Sequence, residues 1–127
     1  MSSGIVERTQ RSDLPMTRDQ RRSLYLGSAV ADVLQSDPER VLSLARNNLS
    51  KMQSVHPYGP VAESLREWGR LLDGSLYELV EVLTSPEPFA RELRQNSPFA
   101  GALTQQERLV VLANFRNVDA RGDLTLV

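Results

Sequence analysis

The side chains that do acid–base, nucleophilic or metal chemistry are few in this sequence, and their spacing limits what they can do. His56 is the sole histidine and there is no cysteine. One imidazole can serve as a general base, but it needs a nucleophile beside it. No Gly-x-Ser-x-Gly elbow and no His-Glu-x-x-His pattern supplies one. The lack of cysteine removes disulfides, zinc–thiolate sites and thiol catalysis together. Glu63 and Glu67 stand four apart, as paired carboxylates on one helix face would. Arg66 and Arg70 follow them at intervals of three, so the four read as surface ion pairs worth about 0.2–0.5 kcal/mol each. A carboxylate-bridged metal centre would need the Glu-x-x-His motif of helical bundles, which is absent. Gly74 and Gly101 are isolated and follow no strand, so no phosphate-binding loop is present. The expectation is a protein with no catalytic residues, no metal and no cofactor.

Binding chemistry is better represented. Arg91, Arg94, Gln95, Ser97, Pro98 and Phe99 place a large aromatic beside arginines in a proline-containing loop. That composition is typical of protein-binding hot spots. On this reading Phe99 is the anchor and the arginines are charge-assisted donors. The alternative is a loop whose aromatic plugs the chain's own core. Trp68 and Phe89 are expected in the core.

A second set of arginines, Arg8, Arg11, Arg18, Arg21 and Arg22, faces only Glu7, Asp13 and Asp19, a local net of +2. Residues 63–92 carry a net of -4, and the whole chain -1. There is no global charge case for nucleic acid or an anionic membrane. The basic segment is the expected nucleic-acid contact if the protein makes one, against the simpler reading of a loose, solvated tail.

The elements that must hold these groups are helical. The chain is 127 residues, 40% hydrophobic and 24% charged, the profile of one globular domain. Residues 1–16 lack apolar periodicity and read as a flexible basic arm. Thr17 and Gln20 form a capping box that opens a helix over Arg18–Gln35, with Leu26, Val30 and Val33 at helical spacing. Gly27 in that helix implies close approach of another helix. Ser36 and Glu39 are a second capping box, with Pro38 in the first turn of helix two. Helix three follows Pro60, with Val61, Leu65, Trp68 and Leu72 on one stripe, and Gly74 ends it in a left-handed conformation.

Ser75 and Glu78 cap a fourth helix carrying Leu76, Leu79, Val80 and Leu83. A fifth spans about Glu87–Gln95. A sixth starts at the Thr104–Glu107 box, with Leu109, Leu112, Ala113 and Phe115 inward, and residues 118–127 read as a C-terminal tail. No run of strict alternation predicts a strand. The fold class is all-α, a compact bundle of five or six short helices over residues 17–117.

A helix-turn-helix at the Gly74 turn fails on charge. Its recognition helix, Ser75 to Thr84, carries Glu78 and Glu81 and no arginine or lysine, the wrong sign for phosphate.

Several stretches occur together in order: Arg22-Ser23-Leu24, Ser36 to Leu42, Ala45 to Leu49, Trp68 with Leu71 to Gly74, Glu92 to Gly101, and Glu107-Arg108. This series resembles a helical domain common in actinobacteria and other bacteria. That domain often follows a helix-turn-helix in transcriptional regulators described as antitoxins of toxin–antitoxin systems. Arg94-Gln95-Asn96-Ser97-Pro98-Phe99-Ala100-Gly101 is the most specific part. About 17 residues precede helix one, too few for the helix-turn-helix itself. The resemblance implies a non-enzymatic protein-binding module that neutralises or regulates a partner, such as a toxin encoded by a neighbouring gene; the absence of cysteine and of a signal-type apolar stretch fits a cytoplasmic location. DNA-binding transcription regulation through the arm is the alternative, and a homodimer is left open. No membrane association is expected.

Overall fold

Pro38, Pro60 and Pro88 each open a helix, because proline has no N–H to lose there and its φ is already helical. The computed structural model describes residues 16–125, with side-chain surroundings for 16–120. All but Met16 of the expected arm, including Arg8 and Arg11, lies outside the described residues. The helices are α1 (Arg18–Ser36), α2 (Pro38–Val55), α3 (Pro60–Asp73), α4 (Leu76–Thr84), α5 (Pro88–Gln95) and α6 (Gln105–Thr125). There is no strand among the described residues, and the fold is an all-α bundle.

Side-chain capping sets the other three helix starts. Thr17 Oγ1 accepts from the Gln20 amide while Gln20 Oε1 accepts from the Thr17 amide, at 3.2 and 2.9 Å. Thr104 and Glu107 repeat the arrangement at 3.0 and 2.7 Å. Ser75 Oγ accepts from the Glu78 amide at 3.2 Å.

The expected Ser36–Glu39 box does not form. Ser36 ends α1, and its hydroxyl donates to the Val33 carbonyl. Only Asp37 separates the two helices, so it terminates α1 and begins α2, and its carboxylate meets Arg40 instead. Gly74 also departs from expectation: it is extended (φ -93°, ψ -150°), not left-handed. Ser75 follows at once as the cap of α4, which leaves no room for a left-handed exit.

α3 supplies the centre of the core. Leu65, Trp68, Leu71 and Leu72 are buried, and Trp68 Nε1 donates to the Leu93 carbonyl of α5 at 2.8 Å. α3 packs on α2, α4 and α5, whereas α1 packs on α2, α4, α5 and α6. The approach of α1 to α4 is close enough that a Cβ at Gly27 would overlap the Leu83 carbonyl oxygen.

Three core expectations are corrected. Phe89 is 60% exposed and Leu109 56%, and Leu76 also faces out. Phe89 follows Pro88 in the first turn of α5, whose inward positions go to Ala90, Leu93 and Arg94. The tail expected after Asn117 is helical to Thr125. Asp119 there binds Arg21 Nη2 at 2.7 Å and lies 3.6 Å from Arg18 Nε, so charge on α1 anchors the end of α6.

Gly27→Ala is expected to destabilise by about 1–3 kcal/mol, because backbone must shift to admit a methyl group. Gly69→Ala has the opposite sign. Its Cβ would meet only Leu49 Cδ2, at 3.6 Å, and removing a helical glycine gains about 0.5–1 kcal/mol. Urea denaturation of both variants checks the pair.

The Thr104 amide bond holds the Glu107 carboxyl below its ordinary pKa. A lowered folded pKa means the box stabilises at neutral pH and is lost as pH falls through that lowered value. The Thr104 amide NMR shift should titrate with a midpoint below that of an ordinary glutamate.

Candidate functional site

α5 is eight residues long and delivers Arg94 to the space between α1 and the end of α4. The last carbonyls of a helix have no intrahelical donors and form the negative end of its dipole. α4 has no basic residue in its own last turn. Arg94 supplies the charge from the next helix: Nη1 donates to the Val82 and Ser85 carbonyls, both at 2.7 Å. Nε donates to Ser23 Oγ on α1 at 3.1 Å. Nη2 is buried with no hydrogen-bond partner. Burial, and then the charge of Arg91, lowers the Arg94 pKa below the ordinary guanidinium value. Arg94 is 8% exposed, and no carboxylate pairs with it among the described residues.

The following loop is braced from three sides. Phe99 is buried edge-on to Trp68, with ring centroids 5.7 Å apart. Asn48 Nδ2 on α2 donates to the carbonyls of Pro98 and Ala100, both at 2.9 Å. Arg40 Nη2 reaches the Ala102 carbonyl at 3.4 Å. Gly101 takes φ +88°, which other residues rarely adopt, and lets the loop turn back under α2.

Together α1, the end of α4, this loop and the start of α6 enclose a cleft of about 390 Å³. Leu26, Val30, Leu83 and Phe99 give it apolar walls, and Arg22, Arg94 and Arg108 line it with Asp19.

The six residues expected to form a partner surface do not form one exposed surface. Arg94, Pro98 and Phe99 are interior, Arg91 and Ser97 are half-buried, and Gln95 is exposed. Phe99 takes the plugging role because Trp68 offers it an aromatic edge and Asn48 holds the backbone on either side. Arg94, Gln95, Ser97 and Phe99 do meet around the cleft; Arg91 and Pro98 do not line it.

Of the basic set, Arg18 and Arg21 are held by Asp119, and Arg18 also lies 5.1 Å over the Phe115 ring. Arg22 turns to the cleft. His56 is exposed, and Glu67 pairs with Arg70 at 2.6 Å, a hydrogen bond that lowers the Glu67 pKa. No group of three or more His, Asp or Glu side chains able to hold a metal ion occurs among the described residues.

Ser23, Asn48 and Arg108 were not singled out by spacing, yet each shapes this region. Ser23 and Asn48 lie within the ordered stretches quoted above. So does Arg46, which binds Asp73 Oδ1 at 2.8 Å and the Leu72 carbonyl at 2.7 Å. What those stretches encode in this chain is the bracing of helices against one another. The chain matches no protein-family model, no curated protein and no solved structure.

Arg94→Ala should lower the unfolding free energy by about 3 kcal/mol, since it strips charge-assisted donors from buried carbonyls. Arg94→Lys should recover less than half of that, because one ammonium cannot span Ser23 and both α4 carbonyls. Urea midpoints of the two variants decide it. Equal stability of Arg94→Ala and the parent would show that the guanidinium is not structural.

Proposed function

We propose that this chain is a non-enzymatic, antitoxin-like protein-binding module that neutralises or regulates a protein partner. The observation that carries the reading is α6. It is 21 residues long, yet among the described helices it packs only on α1. Phe115 makes that contact, buried and edge-on to Tyr25 with centroids 5.3 Å apart. Leu109, Val110 and Val118 are 56%, 54% and 43% exposed. The apolar residues of α6 are spread round the helix instead of being gathered on the side that meets α1, so several stay uncovered. Exposed apolar side chains on a helix that also presents arginine, here Arg116, suit a protein interface.

A DNA contact through the basic segment would draw on Arg18 and Arg21, which Asp119 already engages. The geometry therefore favours the protein partner. The polar groups between the helices support a binding role too: Arg94, Asn48 and Trp68 are committed to backbone carbonyls that hold the scaffold in place. No helix among the described residues is long and apolar enough to cross a membrane.

Co-expression with the product of the neighbouring gene tests the proposal. A stoichiometric complex is expected on size-exclusion chromatography at moderate salt. Leu109→Glu with Val110→Glu should weaken it at least tenfold while helicity and Tm stay unchanged, because both side chains are already solvated. A double variant that binds like the parent, or recovery of nucleic acid alone, would overturn the reading.

A further inference from the structure

The cleft beside α1 holds more positive charge than the fold requires. Arg94 has structural work at the end of α4, but Nη2 is left without a partner in a residue that is 8% exposed. Buried unsatisfied donors are uncommon in native proteins, and a buried charge with no counterion is unfavourable. Two further guanidinium groups, Arg22 and Arg108, line the same cleft and make no ion pair among the described residues. Asp19 is the one acid lining it, and it is exposed at the rim. Leu26, Val30, Leu83 and Phe99 form apolar walls, and the loop that carries Phe99 is braced by Asn48 and Trp68.

We propose that this cleft binds a small organic anion, with an oxyanion head among Arg22, Arg94 and Arg108 and a compact apolar body against Leu26, Val30 and Phe99. The volume of about 390 Å³ suits a small molecule. Arg22 on α1, Arg94 on α5 and Arg108 on α6 line one cleft, and guanidinium groups are the donors that oxyanion recognition uses. The apolar walls add affinity that a bare inorganic ion would not gain. The site is independent of the apolar surface of α6: Arg108 faces the cleft, whereas Leu109 and Val110 do not line it.

Sodium octanoate is the probe, titrated into the full chain and followed by amide and arginine Nε–H NMR and by Tm. Saturable shifts are expected at Ser23, Arg94, Gln95 and Phe99, with a rise in Tm. 1-Octanol, equal in length but uncharged, should bind at least tenfold more weakly, and added sodium chloride should weaken octanoate. Arg22→Met with Arg108→Met should reduce octanoate affinity at least tenfold. Neither side chain is in the core, so the variant is expected to keep the parent's spectrum elsewhere. Three results would each overturn the proposal: equal binding of octanol and octanoate, shifts centred on Leu109 and Val110, or unaltered affinity in the double variant. A cleft that takes no free octanoate, as expected if only a partner's acidic side chain enters it, would overturn it as well.

Discussion

The guanidinium of Arg94 is the constraint on which this architecture depends. A two-turn helix cannot stabilise itself, and a nine-residue helix such as α4 is marginal without tertiary support. Arg94 addresses both at once. It satisfies carbonyls at the end of α4, places a positive charge at the negative end of that helix dipole, and ties both helices to α1 through Ser23. Lysine would deliver a charge to the same place but not the fork of donors. The close approach at Gly27 belongs to the same arrangement, since the Arg94 side chain and the Leu83 carbonyl both crowd that position.

A second brace holds the loop that follows α5. Trp68 anchors α5 through the Leu93 carbonyl and gives Phe99 an aromatic edge, while Asn48 holds the loop backbone before and after Phe99. The loop is therefore a fixed wall, and the cleft that it borders has a defined shape. This also explains why Arg94 and Phe99, in a stretch whose composition suits a binding surface, are interior: the aromatic and the central arginine complete the fold.

α6 is organised differently. The other helices each touch at least two neighbours, whereas α6 rests on α1 through one aromatic pair and the charges around Asp119. Regions with few buried contacts open at lower free energy than the core. A helix held this way, with apolar residues turned outward, is suited to being completed by a partner. The proposed partner surface on α6 and the Arg94 brace are thus separate parts of the molecule.

The sequence by itself determined the helices and most of their starts. Pro38, Pro60 and Pro88, the hydroxyls of Thr17, Ser75 and Thr104, and the stripe Leu65–Trp68–Leu72 act within about one helical turn of themselves, so spacing reveals them. Tertiary structure alone decided what those helices do to one another. Arg94 meets Ser23 across 71 residues, Asn48 meets Pro98 across 50, and Arg21 meets Asp119 across 98. Nothing in the local pattern of Asn117 to Thr125 asks for a helix until α1 presents two arginines to Asp119. Nothing around Phe89 turns it outward until α5 commits Ala90, Leu93 and Arg94 to the interior. Propensity and capping are short-range and are written in neighbouring residues. Burial and charge pairing depend on which surfaces finally meet, and only the assembled bundle settles that.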